Sequence, residues 1–253
     1  MKSVVFTAVP DLPEIQAGQD LSQTIAIAIE AAGVVPAPFD VIVVAQKIVS
    51  KAEGRSVDLR TITPSPRALE LAMQTRKDAR LVEAVLAESQ EVMRAVPNVL
   101  IVRHRLGFVM ANAGIDRSNV PGAAQDQVLL LPQDPDASAE RLRNELSARW
   151  QVPIAVLISD SFGRAWRNGV VNVAIGAAGL PSIIDRRGEY DREGRALEMT
   201  EVALADAIAA GAALVMGEAS EGTPVVIARG LRWTATERSA AALLRSKDQD
   251  LFR

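Results

Sequence analysis

The chain predicts an α+β (mixed α/β) fold, and three observations carry the prediction. Short apolar runs rich in branched side chains, at residues 41–45, 154–158 and 225–228, read as buried strands. Apolar residues elsewhere recur at helical spacing, as at Leu142, Leu146 and Trp150. The two kinds of segment do not alternate in strict βαβ order. No internal repeat or low-complexity linker divides the sequence, so residues 1–253 read as one domain.

In chain order, residues 4–9 form a first strand closed by the turn-rich Pro10-Asp11-Leu12-Pro13. A helix follows on Leu21, Ile25, Ala28, Ile29 and Ala32, with Asp20 as N-cap, Gln23 at the capping-box position and Gly33 as its stop. The strand at 41–45 runs into a polar segment, 46–55, with three cations. Such a segment can hold phosphate, though it is more often a solvated face. Residues 69–73 and 81–93 read as helical, the second with Glu83, Glu88 and Glu91 towards solvent. Strands are expected at 99–102, 108–111 and 128–131, with a polar loop from Asn112 to Asn119. Asp134-Pro135-Asp136 prepares the helix of Leu142, Leu146 and Trp150. Residues 185–195, with four arginines and four acids, form a polar loop able to clamp a substrate. An alanine-rich helix spans 200–216, a break at 217–222 precedes the strand at 225–228, and a last helix covers 237–244.

Composition narrows the chemistry. With 49% hydrophobic residues and a net charge of −3, the chain is an ordinary globular protein with no bias towards nucleic acid or anionic membranes. Cysteine is absent, which removes disulfides, thiolate nucleophiles and Cys-ligated metals. A single histidine, His104, rules out a multi-His centre within one chain, so any metal should be a hard, oxygen-ligated one. The first residues lack the apolar core of a signal peptide, and no stretch reaches the roughly 20 apolar residues of a membrane span. The cytoplasm is the expected compartment.

The chemistry gathers in residues 152–181. The apolar run at 154–158 stops at Ser159-Asp160-Ser161, and Gly163 follows where a tight turn would need it. An acid flanked by two hydroxyls at a strand end is a usual place for catalytic or metal-binding groups. Arg164, Arg167 and Asn168 can grip an anion. On spacing alone, Asp160 reads equally well as a helix N-cap. Asp116 also sits shortly beyond an apolar strand.

Several familiar sites are missing. There is no G-x-x-x-x-G-K-[ST] P-loop, no G-x-G-x-x-G after the first strand and hence no Rossmann motif, and no G-x-S-x-G elbow. His104 lies between two arginines, which disfavour a protonated imidazole, and Ser161 has no identifiable base. Strand-end acids, scattered cations and glycine turns remain. That inventory suits metal-assisted phosphoryl transfer or a metal-dependent hydrolase alike.

At this point the chain resembles the F420-0:gamma-glutamyl ligases. The resemblance runs through Leu12-Pro13-Glu14-Ile15 with Gly18 and Asp20, and through residues 48–55. It continues through Asn112-Ala113-Gly114-Ile115-Asp116 with Ser118-Asn119-Val120, then residues 129–132 and Asp134-Pro135-Asp136. Ser159-Asp160-Ser161, Gly163-Arg164, Arg167-Asn168-Gly169, residues 174–179 and Met216-Gly217-Glu218 complete the ordered set.

The resemblance implies a ligase fold of that type with no C-terminal flavin-binding domain. It implies GTP and divalent metal, magnesium or manganese with potassium as a further ion, joining L-glutamate to coenzyme F420-0 through an acyl phosphate in coenzyme F420 biosynthesis. By the match of motifs, Asp116 and Asp160 would hold one metal, Ser161 and Glu218 a second, and Arg164 would act in catalysis. Leu12, Pro13, Glu14, Ile15, Ala45, Gln46, Lys51, Asn119, Met216, Gly217, Glu218, Ala219, Ser220, Glu221, Gly222 and Thr223 would bind the nucleotide. A homodimer is implied, with the helix at 200–216 as interface or as core. Two departures stand out: the central motif is often T-D-T, and Ala45-Gln46 replace what is often a pair of hydroxyl residues. The competing readings are a metal-dependent phosphohydrolase and a non-catalytic nucleotide-binding protein.

Overall fold

The computed structural model describes residues 3–118 and 126–250, so Asn119 lies outside the described residues. The chain opens with strand β1 (Val5–Ala8) and helix α1 (Leu21–Ala31), whose N-cap Asp20 accepts from the Gln23 N–H at 2.9 Å as the sequence expects. Strand β2 (Val41–Ala45) then leads without a break into α2 (Gln46–Ala52). The polar segment is therefore a helix, because Ile48 and Val49 find the core while Lys47 and Lys51 stay at its edge. After β3 (Ser56–Asp58), helices α3 (Pro66–Thr75) and α4 (Ala79–Ala87) form a hairpin.

The helix expected at 81–93 stops at Ala87. Residues from Ser89 turn into β4 (Ser89–Val96), which pairs antiparallel with β5 (Val99–His104), itself paired to β6 (Val109–Ala111). Tertiary pairing overrides the local helical period here. Glu88 also departs from expectation: it turns inward, with its side chain 12% exposed, onto Arg55 and Arg105. Strand β7 (Gln127–Leu129) pairs β3, starting one residue earlier than predicted and ending two before.

Helix α5 (Pro135–Trp150) is capped by Asp134. It leads to the hairpin of β8 (Ala155–Arg164) and β9 (Arg167–Ala178). The strand expected at 154–158 thus runs on through Ser159, Asp160 and Ser161, and the turn falls at Ala165-Trp166 rather than at Gly163. Asp160 is a strand residue, not a helix N-cap. Two short strands, β10 (Ile184–Asp185) and β11 (Glu201–Val202), pair across the polar loop, which delays α6 (Leu204–Met216) relative to the expected start at Thr200. Strand β12 (Val225–Arg229) follows. The predicted last helix shrinks to a 3₁₀ turn at Ala240–Leu243.

The main sheet has the order β1-β12-β2-β8-β9, with β2 and β8 parallel and the other neighbours antiparallel. This is an α+β fold. Alternation along the central strands divides the core. Ile42, Val44, Val156 and Ile158 pack on α1 and α5, whereas Val41, Val43, Ala155 and Leu157 pack on the alanine face of α6. A smaller cluster under α3 and α4 covers the β4-β5-β6 sheet. No helix among the described residues is long and apolar enough to cross a membrane.

Edge strand β9 is held from both faces. Its Ala174 N–H donates to Asp206 in the first turn of α6, and its Ala177 N–H donates to Asp136 in the first turn of α5, each at 2.9 Å. Between them the ladder slips, Ile158 facing Gly176 and Ser159 facing Ala174. Gly176 is required there, since a Cβ would stand 2.3 Å from the Pro135 carbonyl oxygen.

Candidate active site

Parallel strands β2 and β8 end their pairing at Ala45 opposite Ser159. Beyond that edge one chain becomes α2 and the other continues as the hairpin, so side chains from both meet over the strand ends, a preferred place for ligands in α/β sheets. A cavity of about 680 Å³ opens there. Its walls are the 12–15 loop, the start of α2, residues 159–161 of β8, Asn172 of β9 and the 216–224 segment after α6.

Asp116 is fixed by its backbone, which exchanges two 2.9 Å hydrogen bonds with Leu129. Its Oδ2 accepts from Gln46 Nε2 at 2.9 Å and lies 3.6 Å from Lys47 Nζ. Buried Gln46 is oriented in turn by Ser50, whose hydroxyl donates to Gln46 Oε1 at 3.0 Å. The free end of the amide therefore points at the acids, and it also favours the ionised form of Asp160. Burial raises the Asp116 carboxyl above its ordinary range against the pull of Lys47. Asp160 is pushed up to about 7, first by burial and then by the neighbouring Asp116 charge. Two carboxylates forced together in a half-buried site favour a proton or a cation between them.

Cations line the same cavity. Lys51 Nζ donates to Glu14 at 2.6 Å, Lys47 donates to Ser118 at 2.8 Å, and Arg117 lines the wall. The loop after α6 is turned by Gly217 (φ 76°) and Gly222 (φ 70°), both in the left-handed region that favours glycine. Thr223 ties it to the helix end by donating to Met216 O at 2.9 Å. The loop curls its own N–H groups around an anion: Ala219 N–H donates to Glu221 Oε2 at 2.8 Å. These backbone bonds hold the Glu221 carboxyl below its usual range.

Of the residues named by resemblance, Leu12, Pro13, Glu14, Ile15, Ala45, Gln46, Lys51, Asp160, Ser161 and the whole run from Met216 to Thr223 line this one cavity. Asp116 stands behind Gln46 and Lys47. Glu218 is exposed on the loop. Arg164 lies apart, at the exposed end of the hairpin, where its Nη2 donates to Asn168 O at 3.0 Å. Three further polar wall residues, Ser159, Arg117 and Asn172, had no ligand role in the sequence reading, and Lys47 had one only as part of the cationic segment 46–55. The register of β8 against β9 would have found Asn172, which faces Ser161.

The donor set suits a hard cation: carboxylate oxygens of Asp116 and Asp160, with the Ser161 hydroxyl lining the same cavity as Asp160. No group of three or more His, Cys, Asp or Glu residues is close enough to form a metal cluster among the described residues. An ion here would accordingly draw on hydroxyl or substrate oxygens to complete its shell.

The family model described as F420-0:gamma-glutamyl ligase matches residues 11–230. A coenzyme F420:L-glutamate ligase of Methanothermobacter thermautotrophicus is 46% identical over 252 residues, covering 99% of both chains. The protein of the same name from Methanopyrus kandleri is 45% identical over 97% of this chain and 96% of its own. That of Archaeoglobus fulgidus is 42% identical over 100% of this chain and 97% of its own.

Proposed function

Because the chain belongs to the F420-0:gamma-glutamyl ligase family, we propose that it joins L-glutamate to coenzyme F420-0 at the cavity over the β2 and β8 strand ends, using GTP. The observation that carries this reading is the meeting of the Asp116–Asp160 pair with Lys47, Lys51 and the glycine-flanked 217–222 loop around one cavity. The lysines and the loop N–H groups offer cationic and backbone contacts for phosphates. Glu221 now occupies those N–H groups, so an incoming phosphate would displace it.

Asp116 and Asp160 would hold one divalent ion, magnesium or manganese, and Ser161 and Glu218 would lie on a second. The ions would neutralise the phosphate charge that repels a carboxylate. In the route proposed, the substrate carboxylate attacks the GTP gamma phosphorus, GDP leaves, and the glutamate amine displaces phosphate from the acyl carbon to give the amide. Gln46 positions both acids, and Lys51 binds nucleotide. A homodimer belongs to the same reading, although the alanine face of α6 packs in the core, so only the other side of that helix would be free to meet a partner. Potassium would be a further ion.

The test is GDP release from GTP with manganese and coenzyme F420-0. Release that requires L-glutamate and yields an amide product is expected. Phosphate release without glutamate would favour a phosphohydrolase instead.

A further inference from the structure

Ser159 and Asn172 are 2% and 5% exposed, and both line the cavity. Ser161 is the cross-strand partner of Asn172, and Ser159 lies two residues from Ser161 along β8, so the three share one side of the hairpin. Ser159 Oγ and Asn172 Oδ1 have no hydrogen-bond partner among the described residues. The other end of the Asn172 amide has only a long contact, 3.9 Å, to Met216 Sδ. Buried polar atoms in folded proteins are nearly always satisfied, so two that line a cavity and lack a protein partner are available to whatever fills it.

The charge around them says which kind. Lys47, Lys51 and Arg117 sit on the α2 side of the cavity, where phosphate oxygens belong. The wall of Ser159 and Asn172 carries no cation. Acceptor oxygens with no cation beside them suit a group rich in N–H donors rather than an anion.

We propose that Ser159 and Asn172 form the subsite for the amino group of the incoming amino acid, away from the lysines of α2. The proposal rests on the ligase reading. Ser159 and Asn172 accept from the amine and thereby choose an amino acid over a dicarboxylate of the same length. Their role is positioning: they orient the nucleophile and take no part in nucleotide binding.

The experiment compares Asn172→Ala and Ser159→Ala with the wild type in three readouts. These are the KM for L-glutamate, the affinity for GDP with manganese and no glutamate, and inhibition by glutarate, which lacks the amine. The expected result is a glutamate KM raised about tenfold or more for either variant, the effect of losing one good hydrogen bond. GDP affinity and glutarate inhibition should stay within twofold. A glutamate KM within twofold of wild type overturns the proposal, and so does a parallel loss of GDP affinity. Should Asn172→Ala fail to fold, Asn172→Ser and Ser159→Ala carry the same comparison. Failure of the ligase reading is separate, because it appears in the wild type as the absence of glutamate-dependent GDP release.

Discussion

At Asp160, burial and a like charge act against ionisation together. Its carboxyl titrates near 7, well above the ordinary 3.8. In the metal-free protein the folded state therefore keeps a proton that the unfolded chain gives up, and stability falls as pH rises from about 4 to about 7. At about 1.4 kcal/mol per pH unit the loss amounts to a few kcal/mol. Asp160→Asn is nearly isosteric and removes the ionisation. Thermal melts without metal should show the variant matching wild type near pH 4 and melting several degrees higher at pH 8. A wild-type melting temperature flat over that range would contradict the environment assigned to Asp160. The same variant should lose glutamate-dependent GDP release by at least 100-fold, because the charge that would hold the ion is gone. Lys51→Ala should raise the GTP KM about tenfold with kcat little changed, as loss of a charged phosphate contact would do.

Among elements, the hairpin of β8 and β9 carries the most consequence, and helix N-termini hold it in place. Asp136 accepts from Ala177, from Ala240 at 2.8 Å and from Ala241 at 3.2 Å, joining β9 to the turn that follows it much later in the chain. Asp136→Ala leaves three N–H groups without that carboxylate and should cost about 2–4 kcal/mol, measured by urea denaturation. A change under 0.5 kcal/mol would show that solvent replaces the carboxylate.

This element also marks the limit of what the sequence discloses. The buried half of β8 is legible because Ile154–Ile158 is continuously apolar. Its outer half is not, because the hairpin leaves the helices behind and no core imprints a pattern on residues 163–170, all of them exposed. Strand β4 failed for a related reason: Val92 and Ala95 face a small local core, and their spacing continues the period of α4. Caps were easier, since Asp20 and Asp134 each accept the N–H three residues on. The acids of the site could be suspected from strand ends. Their proximity could not, because Gln46, the side chain that joins them, lies in a segment with no motif of its own. Ser159 and Asn172 needed the strand register.

Over the whole molecule, a half-buried carboxylate helps to fasten the smaller sheet to the rest. Glu88 lies 2.9 Å from Arg55 Nη2, 3.0 Å from Arg105 Nε and 3.4 Å from His104 Nε2. Arg55 and Arg105 in turn donate to the carbonyls of Leu131 and Gln133. Burial opposes ionisation of Glu88, but the neighbouring His104 and the hydrogen bonds and charges of Arg55 and Arg105 outweigh it, lowering its pKa from 4.5 to about 2. The stability this supplies is present above pH 4.5 and is lost as pH falls through 2. Glu88→Gln should cost about 3 kcal/mol at pH 7, since it strands two arginines, and acid titration of the variant should lack the component between pH 4.5 and 2. Equal acid profiles for variant and wild type would dismiss the network as a support.

The cavity draws its walls from the 12–15 loop, α2, β8, β9 and the stretch ending at Pro224. A nascent chain emerging from the ribosome therefore has no chamber to offer until nearly all of it has been made. Substrates held in the finished chamber clasp together beginning, middle and end of the polypeptide, and their grip resists its unravelling as a whole.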